Sequence, residues 1–494
     1  MGSDSSSTAI RSGAAGIPSG LTPTPLWWRL AIAASIVLLA SLAYLLRHVI
    51  GPRGQAAVGV LCFIGLIAMF SANLRAVNWR TIGWGIALQV ALALFILKFE
   101  IAGRRPGYDL FQWLANLITV FVQFADVGAR FVFGPLADQE LMARNFGGNS
   151  FVFAVSALPP IIFVSSFFTV LYYFGVLQFI VEVFARGMMY LMGTSGAETL
   201  SAAANVFMGQ TEAPLIVKPY VTRMTESELL ALMVGGMATI SGGIMAVYIK
   251  MGADPVAILA TSVMAAPCGL YLSKLLLPEL GQPETSGTAH TAVEQPHRNV
   301  VDAAAAGATD GMQLAINIAA MLIAFLAFIA LFDALLGLIN PKLTLSAIFS
   351  RLFAPAAFLM GVEPREVYNV ADLLGIKLAA NEFVAYARLT TAHPDPGLAA
   401  SAVAHLGGES PFLALASLTQ APRQAGLVPG SRSYILATYA LTGFANFGSI
   451  GIQLGGIGAM APNRRGDLAR LGGRALLAGF VATLVNAALA GLLM

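Results

Sequence analysis

Charge is what this sequence has least of. Only 11% of its 494 residues are Asp, Glu, Lys or Arg, against roughly 25% in an ordinary soluble domain. So few charges cannot cover a water-facing surface for a chain of this size. The remaining basic excess, a net +3, is scattered through loops with no polybasic run, which leaves nucleic-acid binding without support. Two cysteines, Cys62 and Cys268, stand far apart in apolar surroundings. They form neither a disulfide framework nor a metal-ligand spacing and read as small buried hydrophobes. Strand-like alternation is also missing, which argues against a membrane β-barrel.

What the sequence does have is apolar length: 57% hydrophobic residues and a mean hydropathy of +0.76. The protein is read as an all-α membrane protein, in the inner membrane if its source is bacterial. Runs long enough to cross a bilayer, about 20 residues each, are expected near 27–46, 56–72, 82–99, 151–184, 228–250, 255–277, 312–339, 433–460 and 471–493. The long 151–184 run is read as one strongly tilted helix. Residues 104–135 interleave Arg105, Asp109, Gln112, Asn116, Asp126 and Arg130 with apolar positions, which suits an interfacial helix. The apolar run after Trp27 and Trp28 is longer than a signal-peptide core and has Arg29 at its start, so it is read as an uncleaved first helix. Fifty glycines point to close helix packing and interrupted helices.

The domain organisation expected is a disordered tail over 1–26, then N-terminal membrane helices, an interfacial helix and scaffold over 27–190. A first hairpin unit follows over 191–278, and a soluble connecting loop over 279–309. A scaffold helix over 310–345 leads to a second hairpin unit over 346–494. A further solvated stretch is expected over 391–430, with His393, Asp395, His405, Glu409 and Arg423. Lysines and arginines recur in successive short loops, so loop charge sets no orientation.

The informative residues are polar ones where lipid would exclude them. Asn205, Gln210, Thr211 and Glu212 crowd one short segment beside Gly209 and Pro214. Broken backbone at membrane depth survives only inside protein or a wet cavity, so a re-entrant hairpin is expected. The following helix is interrupted by Gly235, Gly236, Gly242 and Gly243 around Thr239 and Ser241, offering the oxygen ligands that hard cations prefer. The second half repeats the pattern, with Asn381 and Glu382 followed by a helix carrying six glycines between 443 and 458 together with Asn446 and Ser449. Such paired discontinuous segments mark a transporter binding site. Glu182, Glu198, Asp333 and Asp372 lie near segment ends and read as snorkelling or capping groups.

The strings Gly209-Gln210-Thr211-Glu212-Ala213-Pro214-Leu215, Asn381-Glu382-Phe383-Val384-Ala385-Tyr386 and Gly443-Phe444-Ala445-Asn446-Phe447 resemble the concentrative nucleoside transporters, sodium-coupled type. That resemblance implies an inverted-repeat fold with two re-entrant hairpins (192–224 and 364–390) and two unwound helices (228–250 and 433–460). It implies a scaffold and a transport domain in each protomer of a homotrimer, importing uridine-like nucleosides by alternating access. It assigns the base to Gln210, Thr211, Glu212 and Ile244, and the ribose to Glu382, Asn446 and Ser449 with Phe444 nearby. No cofactor is implied; sodium, the coupling ion, would be held by the side chains of Asn205 and Thr239 and the carbonyls of Met208 and Ile240. Gly448 replaces a serine common in the family, which widens the ribose side of the pocket. Alternatives are a proton-coupled nucleoside symporter, a passive channel, and an intramembrane hydrolase using Ser449. The five histidines lie in or beside loops, which leaves that serine without an evident base.

Overall fold

In the computed structural model the described residues are 23–146, 152–287, 297–340, 343–390 and 426–494. The tail over 1–22 and most of the second solvated stretch, with His393, Asp395, His405, Glu409 and Arg423, lie outside them. Among the described residues the only β pairing is one isolated bridge, Ile101 with Arg104, and nine helices are long and apolar enough to cross a membrane.

The chain opens with α1 (Leu26–Leu45), α2 (Arg47–Met69), α3 (Trp79–Leu97) and α4 (Pro106–Phe133). α4 is a single helix that packs through one small-residue stripe including Ala115, Ala125 and Ala129. By length and composition it also qualifies as a span, although its interleaved polar residues led to an interfacial reading. The 151–184 run is not one tilted helix. α5 (Leu158–Tyr173) stops at Gly175, whose φ of +75° is left-handed, and α6 (Val176–Met192) starts in a new direction. Glycine adopts that conformation without steric cost. The carbonyl of Tyr172 is satisfied there by the Gly175 N–H at 3.0 Å and by Gln178 Nε2 at 2.7 Å.

The first hairpin begins with α7 (Gly196–Ala204), turns through 205–212 and returns through two single-turn helices, Ala213–Ile216 and Lys218–Val221. Its partner helix is split into α8 (Glu226–Ala238) and α9 (Gly242–Met251), and α10 (Pro255–Leu276) follows. α11 (Val300–Ile339) starts inside the stretch read as a solvated loop, capped by Asn299, whose Oδ1 accepts the Asp302 N–H at 2.9 Å. Forty residues in one helix span about 60 Å, twice the hydrocarbon thickness. After α12 (Leu345–Leu352) and α13 (Ala354–Leu359), the second hairpin is α14 (Val367–Ala379) and α15 (Glu382–Thr390). Its split partner is α16 (Arg432–Leu441) with α17 (Phe447–Met460), and α18 (Arg465–Leu493) closes the chain.

Burial separates an interior from a periphery. The α8–α9 pair, α10 and α18 are more than four-fifths buried along their apolar windows, whereas α1 and α11 are 6% buried. The break in α8–α9 therefore lies inside protein rather than against lipid, and in the α16–α17 break Thr442, Gly443, Ala445 and Asn446 are buried too. α11 grips the rest through Ala303, Gly307, Gly311 and Ala315, buried at four-residue spacing, a small-residue ridge that lets backbones approach. A methyl group on Gly311 would come within 2.8 Å of Ile162 Cα, on α5. Gly311→Val should therefore destabilise the protein by about 1–3 kcal/mol, the usual cost of overpacking, visible as a lower melting temperature in detergent. An unchanged melting temperature would mean that the two helices are not closely packed.

Candidate functional site

The first hairpin is anchored by two capping boxes that share a buried ion cluster. Ser195 and Glu198 cap α7, and Thr225 and Glu228 cap α8. Ser195 Oγ donates to Glu228 Oε1 at 2.6 Å, and Lys274 of α10 pairs with Glu198 at 2.6 Å and Glu279 at 3.1 Å. Glu198 thus caps a helix, as expected, but in the interior and beside a lysine. The S-x-x-E and T-x-x-E spacings carried the signal for these boxes. Asp333 and Asp372 also serve local order: Asp333 accepts the Leu345 N–H at 2.6 Å and Asp372 pairs with Arg388 at 3.1 Å. Glu182 pairs with Arg186 at 2.6 Å on α6.

At the hairpin tip Glu212 folds back, its Oε2 accepting the Gly209 N–H at 2.7 Å. The Phe207 carbonyl accepts the Gly242 N–H at 2.9 Å, which seats the tip on the start of α9. Asn205 is fully buried beside α8. Its Nδ2 donates to the Ser201 carbonyl at 2.9 Å, while its Oδ1 has no hydrogen-bond partner. Thr239 stands in the break and donates its hydroxyl to the Gly235 carbonyl at 2.9 Å, leaving its oxygen lone pairs free to accept. Ser241 caps α9. An orphaned buried amide oxygen, a hydroxyl and interrupted backbone at one junction suit a hard monovalent cation.

The second hairpin places Glu382 at the first position of α15, after Asn381 caps that helix through the Val384 N–H at 2.9 Å. Both carboxylate oxygens of Glu382 are engaged. Tyr248 donates its hydroxyl to Oε1 at 3.0 Å, and Asn446 Nδ2 donates to Oε2 at 3.0 Å. Asn446 caps α17 and accepts the Ser449 N–H at 2.9 Å. Gln210 Nε2 reaches Ser449 Oγ at 3.4 Å. A line of hydrogen bonds therefore runs Tyr248–Glu382–Asn446–Ser449–Gln210, joining both hairpins and both split helices.

Ile244 lies one turn before Tyr248 and so on the same face of α9. Thr211 packs instead against Gly456, and Glu212 lines a cavity of about 340 Å³ with Ser165, Tyr172, Met208, Ser241 and Asp310. Phe444 is half-buried in the second break, its N–H donating to the Thr239 carbonyl at 3.1 Å. Among the described residues no cluster of three His, Cys, Asp or Glu could hold a metal, and both cysteines are free and buried. Tyr248 and Gln453 carry no role in the sequence reading. Tyr248 reads as apolar core until Glu382 is seen across from it, and Gln453 holds the Met233 carbonyl at 2.9 Å.

Family models match most of the chain. The Na+ dependent nucleoside transporter N-terminus covers residues 58–136, a nucleoside recognition (gate) model covers 154–255, and the Na+ dependent nucleoside transporter C-terminus covers 257–491. The chain belongs to the Na+ dependent nucleoside transporter family. It is 42% identical to sodium/nucleoside cotransporter 1 of Mus musculus over 88% of this chain and 63% of that protein. With the Sus scrofa cotransporter 1, identity is 39% over 95% of this chain and 68% of the relative. The chain thus spans about two thirds of the length of these mammalian relatives. An uncharacterized transporter of Haemophilus influenzae is 39% identical over 89% of this chain and 97% of its own length.

The fold also matches CNTnw in an inward-facing substrate-bound state, with a TM-score of 0.78 and 38% identity over 89% of this chain and 97% of that one. An outward-facing CNTnw variant matches equally well, at 0.78 and 37% identity over 90% and 98%. The all-α inverted-repeat architecture, with two re-entrant hairpins and two unwound helices, is that of this family, which is a family of transporters rather than enzymes.

Lys274 is seated among Glu198, Glu279 and the Ser227 hydroxyl. Lys274→Met should cost about 3–5 kcal/mol, because it strands a buried carboxylate, and should lower the thermal midpoint in detergent. A variant as stable as the parent would show that this cluster does not anchor the first hairpin.

Proposed function

We propose that the protein imports nucleosides by sodium symport through alternating access. The observation that carries this reading is Glu382, a buried carboxylate held through both oxygens by two other helices and continuous with the amide and hydroxyl groups of Asn446, Ser449 and Gln210. Such a line suits an uncharged polyol. A carboxylate accepts from paired ribose hydroxyls, while an amide recognises a base edge. An analogue lacking a hydroxyl leaves these buried groups unpaired and is rejected.

On this reading Glu382, Asn446 and Ser449 hold the ribose beside Phe444, and Gln210, Thr211, Glu212 and Ile244 hold the base. Sodium is a transported substrate here, bound by Asn205, Thr239 and the carbonyls of Met208 and Ile240. The unpartnered Asn205 Oδ1 supports this placement. Coupling follows from chain geometry, because Gln210 lies five residues beyond Asn205. A cation that orders the tip also brings Gln210 towards Ser449, so ion and nucleoside stabilise one another's bound state. Inward movement of one charge releases about 2.3 kcal/mol per 100 mV, enough for about fifty-fold accumulation before any sodium gradient is counted. The hairpins and split helices form the moving domain, with α11 among the scaffold helices of a homotrimer.

Uptake of labelled uridine into proteoliposomes, under an inward sodium gradient or an equal choline gradient, tests this reading. Accumulation above the outside concentration only with sodium is the expected result. Equal uptake in choline would overturn sodium coupling in favour of protons, and recovery of free base would mean hydrolysis. Ser449 gives hydrolysis little to work with, since its side-chain partners among the described residues are Asn446 and Gln210. Glu382→Gln should lower uptake at least about tenfold, and Tyr248→Phe about three- to tenfold, both at unchanged size-exclusion behaviour. Parental uptake by Glu382→Gln would remove the ribose assignment.

A further inference from the structure

Lys377 has no part in the site described above, yet its place is unusual. It sits in the last turn of α14 with no exposed surface. Among the described residues no carboxylate lies within ion-pair distance of it. Its ammonium donates to the Ala440 carbonyl at 2.7 Å and to the Thr483 hydroxyl at 2.9 Å, and lies 5.5 Å from the Phe480 ring centre. Ala440 is the penultimate residue of α16. Its carbonyl is one of those that a helix C-terminus leaves without an intrahelical donor, at the end where the dipole favours a cation.

The two repeats are built alike around this point. In the first, α7 ends beside α8, and Asn205 touches α8 so closely that a methyl group on Gly235 would come 3.1 Å from its Nδ2. In the second, α14 ends beside α16, and Lys377 from its last turn reaches the Ala440 carbonyl there. Both junctions lie where the first half of a split helix stops, at Thr239 and at Thr442. The contents differ. The first junction offers an unpartnered oxygen, Asn205 Oδ1, and among the described residues no cationic side chain fills it; Lys218 lines the neighbouring cavity but is exposed. The second junction is filled by an ammonium.

We infer that the Lys377 ammonium is the second repeat's tethered counterpart of the coupling sodium, a fixed cation that closes the end of α16 and holds the second hairpin where Glu382 meets Tyr248 and Asn446. The inference rests on the sodium placement proposed above. It makes Lys377 a positioning residue, acting on substrate through Glu382. It also accounts for a second repeat that orders itself without an ion from solution, so that one repeat alone responds to sodium. Removing the side chain leaves a pocket lined by a carbonyl and a hydroxyl, an oxygen site for a hard cation or for the head of a short alkylammonium.

Lys377→Ala and Lys377→Gln, reconstituted beside the parent protein, test this. Loss of sodium-dependent uptake in the parent itself would remove the sodium reading and is separated from the variants in that way. Both variants should lose at least about tenfold of uridine uptake, the size of a removed charge-assisted hydrogen bond. n-Propylammonium should restore uptake to Lys377→Ala and raise its melting temperature, whereas n-propanol should do neither. Unrescued Lys377→Ala should also show a steeper dependence on sodium concentration, as a second ion enters the vacated place. Rescue by propanol as well as by the amine would reduce the role to filling space and overturn the inference. Parental uptake and sodium dependence in Lys377→Gln, which keeps a donor but no charge, would overturn it too. That variant decides the matter if Lys377→Ala does not fold.

Discussion

Backbone left unpaired inside a membrane protein has no water to turn to, and the rest of this structure depends on how that cost is avoided. Both split helices interrupt their own ladders in the interior. The breaks answer one another: the Phe444 N–H donates to the Thr239 carbonyl at 3.1 Å. Gly443, at φ +152°, lies so close that a methyl group there would come 3.1 Å from the Ala238 carbonyl. The second break supplies the donor and the first the acceptor. An unwound segment is tolerated only where protein or a cavity surrounds it, so crossing the two breaks explains why they occur as a pair. It also gathers Asn446, Ser449, Thr239 and Ser241 into one region.

The breaks were legible in the sequence because the exception was chemical. Asn, Gln, Thr and Glu beside glycine and proline stand out in an apolar chain, and Gln210, Glu382, Asn446 and Ser449 are the residues that the structure joins. The helix end at Gly175 was not legible. Its flanks are as apolar as the rest of the run, and a lone glycine reads as packing until its left-handed φ is seen. The start of α11 at Val300 was hidden for the opposite reason, since Asp302 resembles a loop residue although it belongs to the helix's first turn. Tyr248 escaped notice because a tyrosine within an apolar helix looks like core. Only the fold sets its hydroxyl against Glu382, across a separation that no local pattern encodes.

Glu212 shows the limit of reading a motif as one unit. It stands next to Gln210 in sequence and belongs to the same resemblance, yet its Oε2 is turned back on the Gly209 N–H while Gln210 points to Ser449. Neighbouring residues of a tight tip face different ways, so adjacency in a motif does not mean adjacency in a pocket. In this conformation Glu212 closes the tip and borders the cavity towards α5 and α11, which places it between the hairpin and the scaffold.

The two hairpins also differ in how much they fix by themselves. The second turns through Ala380 and Asn381 alone, with Asn381 capping α15 and Lys377 tying α14 to α16 and α18. The first turns through eight residues, 205–212, which carry two buried amide oxygens without a partner, Asn205 Oδ1 and Gln210 Oε1. Rigidity therefore resides on the side of the Glu382 carboxylate, and adjustability on the side with the unpartnered amide oxygens. A coupled transporter needs that asymmetry. If both halves were complete in themselves, an ion would have nothing to order. If neither were, substrate would have to order both and would bind weakly. Anchoring the long tip at its base through Glu198 and Lys274 while leaving the Asn205 and Gln210 amide oxygens without partners confines the adjustable part to a few residues, next to the amide that reaches Ser449.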